Sequence, residues 1–175
     1  MSRPTKIIYV FLMLLFVMWH QQCTAQENPY PPYDPDVPEM TDIQRVIDAS
    51  MDDVEDSLRI RGSFQPFATV ILQNDSIADI HVAPKNGETY SIAELEDQLS
   101  VNALNGTYKV VCIFYLDASD DPAATGNSKV VKIHAEHTND DFAYRFEFPY
   151  TRNAKHQIVF GETAVDFEPQ IMFKL

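Results

Sequence analysis

The segment at residues 108–116 constrains the fold more than any other part of the sequence. It reads Tyr-Lys-Val-Val-Cys-Ile-Phe-Tyr-Leu, so apolar side chains fall on both faces of a strand. A strand that is apolar on both faces lies in the interior of a sheet, where both faces are covered. The sequence therefore predicts a central strand, with Cys112 midway along it as a buried and inert thiol.

Two segments have the apolar spacing of amphipathic helices. The first begins with a Thr-x-x-Gln capping box at Thr41 and ends near Gly62. The second begins with a Ser-x-x-Glu capping box at Ser91 and ends at Gly106. We expect the acidic outer face of the first helix to be solvated.

Two predicted hairpins accompany the central strand. Residues 64–72 and 77–82 flank a polar turn, and the first of these strands begins at Phe67 because Pro66 precedes it. Residues 129–137 and 141–150 flank a second turn. Five aromatic side chains alternate with other residues in the last segment, which predicts that they pack in the core.

The order of these elements is helix, strand, strand, helix and then three or more strands. It predicts an α+β domain at residues 41–175, with a single antiparallel sheet and two packed helices. The order is similar to that of profilin-like and roadblock-like domains, which are mostly binding or assembly modules.

The first 25 residues have the layout of a signal peptide. Basic residues precede an apolar run at residues 7–19, which is shorter than the about 20 residues that a spanning helix needs. We expect cleavage before Gln26, which gives a periplasmic or secreted protein with no transmembrane segment in its mature form. The alternative is a bacterial lipoprotein that is acylated at Cys23.

Residues 26–40 are rich in proline and have no apolar period. This composition predicts an extended tether between the signal peptide and the domain. After cleavage before Gln26 only Cys112 would remain, and a single cysteine cannot form an internal disulfide.

The charge of the chain excludes two classes of partner. The chain has 13 Lys and Arg residues against 26 Asp and Glu residues, a net charge of −13. A surface this acidic repels phosphate backbones and anionic lipid headgroups, so we expect neither nucleic-acid binding nor membrane binding through a basic patch. The expected partner is another protein.

The sequence contains no recognisable motif for a cofactor, a metal or a nucleophile. Its five glycines are too far apart for a phosphate-binding loop or a nucleophile elbow. The acidic segment at residues 117–128 lacks the glycine and the glutamate that a calcium loop needs at fixed positions. His134, Glu136 and His137 do not have zinc-protease spacing. We therefore predict no cofactor, no metal site and no catalytic residue.

Four residues are candidates for a binding surface: Glu136, His137, Arg145 and Glu162. Because side chains alternate along a strand, His137 points to the opposite face from Glu136. Glu136 is expected to form a cross-strand pair with Arg145 or Lys132. Arg145 lies opposite the aromatic stripe and is expected to face solvent or a partner.

Four short segments resemble the landmarks of a group of small bacterial proteins of unknown function. They are Gly-Ser-Phe-Gln-Pro-Phe-Ala at 62–68, Lys-Ile-His-Ala-Glu-His at 132–137, Phe-Pro-Tyr at 148–150 and Phe-Gly-Glu at 160–162. The resemblance covers residues 40–173 and implies no activity, because none is known for the group. The signal peptide and the tether depart from the usual pattern and argue against a cytoplasmic role.

These features favour an exported, non-catalytic binding, inhibitor or immunity-type protein. A tethered acidic domain without a set of catalytic residues is expected to act by binding a partner whose surface is complementary to its own. One alternative is a hydrolase whose Glu and His residues are distant in sequence, and another is a lipid-anchored accessory protein of an envelope assembly. A deep pocket around Glu136 or Glu162 would favour the hydrolase.

Overall fold

The computed structural model describes Tyr30 and residues 32–80, 91–118 and 129–174. Their helices are α1, Pro38–Arg61, and α2, Ile92–Leu104. Their strands are β1, Phe67–Leu72; β2, Ile77–Ile80; β3, Tyr108–Ala118; β4, Lys129–His137; β5, Phe142–Arg152; β6, Ile158–Phe160; and β7, Ala164–Pro169. All of them belong to one unit, Tyr33–Leu175. The predicted signal peptide, the first residues of the tether, the end of the first hairpin at 81–82 and the acidic loop at 119–128 lie outside the described residues.

The strands form a single open antiparallel sheet, which confirms the predicted α+β class. Its order is β2-β1-β3-β4-β5-β6, and β7 pairs with the other part of β5. The likeness of the element order to profilin-like and roadblock-like domains stays a prediction. Neither of the two helices described is long and apolar enough to cross a membrane.

The strand β3 lies inside the sheet, between β1 and β4, as its sequence predicts. Cys112 pairs with Thr69 on one side and with Ala135 on the other. Its side chain is fully buried, and burial raises the pKa of the thiol well above its usual range. The thiol is therefore protonated at neutral pH, in agreement with the prediction.

The helix α1 covers one face of the sheet. Its buried side chains are Met40, Ile43, Val46, Ile47, Ser50, Val54 and Leu58. Beneath them lie alternate residues of β3 and β4 and the aromatic stripe of β5, in which Tyr144 and Phe146 are buried. The prediction that this stripe packs in the core is confirmed. Burial of each aliphatic side chain stabilises the fold by about 1.5–3 kcal/mol.

The helix α1 begins three residues before the predicted cap at Thr41. Its first residue is Pro38, which has a preset φ and no N–H that needs a partner, and Val37 is the N-cap. The Thr41 hydroxyl instead donates to the Val37 carbonyl, 3.3 Å away. The helix thus includes the last residues of the predicted tether. It ends as predicted at Gly62, whose φ is 72°.

The helix α2 has the predicted capping box. The Ser91 hydroxyl accepts from the Glu94 N–H at 3.2 Å, and the Ser91 N–H donates to the Glu94 carboxylate at 3.0 Å. Leu95, Leu99 and Ala103 pack on β1 and β3, on the sheet face opposite α1. Beyond this apolar half, the same face carries charged side chains on β4, β5 and β7.

Candidate functional site

Seven charged side chains of β4, β5 and β7 share the sheet face beside α2, and we call this area the charged face. They are Lys132, His134 and Glu136 of β4, Arg145 and Glu147 of β5, and Asp166 and Glu168 of β7. They share one face because alternate strand residues point the same way and the register places Arg145 beside both His134 and Asp166.

Glu136 is at the centre of this network, with none of its surface exposed. Its carboxylate accepts from the backbone N–H groups of Ile171 at 2.8 Å, Met172 at 3.0 Å and Phe173 at 3.2 Å. It also lies 2.9 Å from Nε2 of His134. Consecutive N–H groups that converge in this way form an anion site. Here the anion is the protein's own carboxylate, which fastens the C-terminal segment to β4.

His134 is held between two carboxylates. Its Nε2 lies 2.9 Å from Glu136, and its Nδ1 lies 3.4 Å from Glu168. Burial alone would lower the pKa of His134, but the hydrogen bonds to Glu136 and Glu168 reverse this effect and raise its pKa to about 9. His134 is therefore a cation at neutral pH, and an imidazolium has no lone pair with which to act as a general base.

The predicted pair of Glu136 with Arg145 or Lys132 is wrong. Arg145 reaches the neighbouring strand, where its Nη2 lies 2.8 Å from Asp166, and Lys132 lies 3.3 Å from Glu147. The register pairs Arg145 with His134 and Lys132 with Glu147, and Glu136 binds His134 and the backbone N–H groups of residues 171–173 instead. Arg145 lies on the face opposite the aromatic stripe, as predicted, and 31% of its side-chain surface is exposed. Its guanidinium forms ion pairs with Asp166 and Glu168 within the sheet.

His137 points to the opposite face from Glu136, as predicted, and is buried against α1. Its Nδ1 accepts from the Asn139 N–H at 3.0 Å, and its Nε2 lies 3.6 Å from Asp42. Burial would raise the pKa of Asp42, but the hydrogen bonds from Lys109 and Arg45 lower it below its usual value. Glu136 and His137 therefore do not form one site, and His137 supports the packing of α1.

Glu162 is exposed and lies between β6 and β7. The register pairs Ala164 with Glu147 and Pro169 with Phe142, so Glu162 lies beyond the Glu147 end of the paired region. The turn after His137 lies at the Phe142 end. The structure therefore places Glu162 away from the other candidates.

Sequence reasoning missed Asp166 and Glu168 on β7. The alternation of these acids with Val165 and Phe167 is a strand signal that would have located them. The apolar pair packs against the core on the α1 side. The two acids consequently share the face of Arg145.

A groove of about 740 Å³ lies between the C-terminal half of α1 and the segment that leads into β1. It forms where the chain turns back after Gly62, whose left-handed φ of 72° ends the helix. Its lining includes Asp53, Asp56 and Ile60 from α1, Phe64 from the returning segment, Phe67 from β1 and Asp79 from β2. No sequence pattern predicts this groove, because it lies between elements that are paired only in the fold.

The aromatic side of the groove is held in place by ring contacts. Phe64 and Phe67 meet edge to face, with their ring centroids 5.8 Å apart. Phe67 also stacks on Phe114 of β3 at 4.8 Å. Both groove rings are only partly buried, and Ile60 is 73% exposed. The groove thus presents an accessible apolar surface on a fixed support.

The polar side of the groove is ordered by a chain of hydroxyl groups. Ser50 Oγ donates to Thr69 Oγ1 at 2.9 Å, and Thr69 Oγ1 donates to Asp79 Oδ1 at 2.8 Å. This chain connects α1, β1 and β2 and fixes the Asp79 carboxylate at the groove wall. Across the residues that the structure describes, no three His, Cys, Asp or Glu side chains are grouped to hold a metal ion.

Comparison of the chain with protein-family models, with curated proteins and with solved structures gives no match. The resemblance to small bacterial proteins of unknown function stays a prediction.

Proposed function

We propose that this chain is an exported, non-catalytic domain that holds a segment of a partner protein in the groove beside α1. The observation that carries this proposal is the groove itself, in which accessible apolar side chains, Ile60 at 73% exposure among them, lie beside polar ones. Exposed apolar side chains beside a concave surface mark interaction sites in soluble proteins. The net charge of −13 favours a partner with a basic surface.

The charged face supports binding rather than hydrolysis as the function. Its most buried acid, Glu136, is saturated by backbone N–H groups and by His134. His134 is a cation between two carboxylates. The acid and the histidine with the most suitable positions for catalysis, Glu136 and His134, are therefore bound to each other. A general acid or base must exchange protons with a substrate, and this arrangement favours a structural role instead.

Export is proposed from the N-terminal sequence. Cleavage before Gln26 would release a domain carried on a proline-rich tether.

Affinity capture from the native envelope fraction tests the proposal when two matched variants are included. Ile60→Glu places a charge at the groove, and Val101→Glu places one on the exposed side of α2, where Val101 is 60% exposed. We expect one partner to be retained by the wild type and by Val101→Glu and lost by Ile60→Glu. A partner that Ile60→Glu retains, or that both folded variants lose equally, would overturn the groove as the binding surface.

A further inference from the structure

We infer that the groove takes a guanidinium group, the side chain of an arginine on the partner protein. This inference rests on the proposed function and names the chemistry of the partner. Two carboxylates from different elements, Asp53 of α1 and Asp79 of β2, line the groove together with the rings of Phe64 and Phe67. Carboxylates and aromatic rings are the two surfaces that a guanidinium recognises.

The charge balance of the lining favours a cation. Asp53 and Asp79 are both exposed, and the hydrogen bond from Thr69 uses only one of the acceptor positions of Asp79. Asp56 also lines the groove and lies in a salt bridge with Arg59. The described lining contains one cation, Arg61, whose Nη2 lies 2.6 Å from the Ser57 hydroxyl. With Asp56 paired to Arg59, the carboxylates of Asp53 and Asp79 still outnumber the one guanidinium of the described lining, that of Arg61.

The aromatic rings favour a guanidinium over an ammonium. A guanidinium is planar and weakly hydrated, so it stacks on a ring while its N–H groups bind a carboxylate. An ammonium is a strongly hydrated point charge and loses more on leaving water. Phe64 and Phe67 are partly buried, so each leaves part of a ring accessible beside the carboxylates.

Three peptides test the inference by NMR titration at low ionic strength: acetyl-Gly-Arg-Gly-amide, its lysine analogue and its citrulline analogue. Citrulline has the shape of arginine without its charge. We expect the arginine peptide to shift the ring resonances of Phe64 and Phe67 and to bind about fivefold or more tighter than the other two. Equal binding of the lysine peptide overturns the preference for guanidinium, and equal binding of the citrulline peptide overturns the role of charge.

Variants of single aspartates complete the test. Asp53→Asn and Asp79→Asn should each weaken arginine-peptide binding about fivefold, whereas Asp52→Asn, an exposed neighbour outside the groove lining, should leave it within about twofold. If all three variants lost the same affinity for the arginine peptide, the effect would come from the overall charge of the protein, and the inference would be overturned. If no peptide shifts the groove resonances, the inference fails while the capture experiment with Ile60→Glu still decides the proposed function.

Discussion

Nε2 of His134 lies 2.9 Å from Oε1 of Glu136, and both side chains are almost completely buried. The same carboxylate binds the backbone of residues 171–173. One buried acid thus joins a strand, a cationic histidine and the C-terminal segment. The charged face is therefore a structural element, and breaking this linkage should lower the free energy of unfolding.

Glu136→Gln should lower the free energy of unfolding by about 3 kcal/mol, because it leaves a buried imidazolium and several N–H groups without their anion. The new amide NH₂ also faces donors instead of acceptors. Urea denaturation measures the change, and Glu162→Gln, at an exposed site, should stay within about 0.5 kcal/mol of the wild type. A loss at Glu136 as small as at Glu162 would mean that the C-terminal segment is not fastened there.

His134 should make stability depend on pH. Its pKa of about 9 in the fold exceeds the ordinary value of 6.5, so the folded state binds the proton more tightly than the unfolded chain. The stabilisation is complete below about pH 6.5 and is lost as the pH rises through about 9, with a slope of up to roughly 1 kcal/mol per pH unit. Urea denaturation across this range should show the slope in the wild type and a weaker one in His134→Gln. Identical slopes would show that His134 is not held as a cation.

The fold was largely predictable because it depends on local patterns. Apolar spacing and capping boxes located the helices, and alternation located the hairpins and the central strand. The predicted start of α1 at Thr41 was wrong, because the helix begins at Pro38 and has no side-chain cap that a sequence pattern could indicate. The sequence predicted three or more strands after the second helix but did not locate β7, because its acidic residues leave it with few apolar side chains.

The site was much less predictable because its contacts are distant in sequence. Glu136 binds Ile171, 35 residues later, and no spacing rule indicates that contact. The sequence alone predicts an ordinary, partly buried hydrogen bond at Glu136, whose loss costs about 1 kcal/mol. The groove was missed for a similar reason, since Asp53 and Asp79 line one groove only after α1 has packed on the hairpin.

Cys112 should react slowly with thiol reagents in the folded protein, because burial raises its pKa and excludes the reagent. The measurement is labelling of a Cys23→Ser variant, which leaves Cys112 as the single thiol. Labelling should become fast and stoichiometric once denaturant is added. Fast labelling without denaturant would contradict the central position of β3.

The mature protein is expected to begin at Gln26, because the apolar run at residues 7–19 is short and Ala25 precedes the cleavage site. The intact mass of protein isolated from the envelope fraction checks this directly. A mass that corresponds to a chain starting at a diacylated Cys23 would instead establish lipoprotein processing.

The affinity of the captured partner for two single variants, measured by isothermal titration calorimetry, tests the central claim most directly. Asp79→Asn removes a charge from the groove, and Asp166→Asn removes one from the charged face. Both residues are exposed strand aspartates that accept a side-chain hydrogen bond, from Thr69 in the groove and from Arg145 on the charged face. If the groove is the binding surface, Asp79→Asn weakens binding about fivefold and Asp166→Asn leaves it nearly unchanged. Weakening by Asp166→Asn alone would contradict the account and move the site to the charged face.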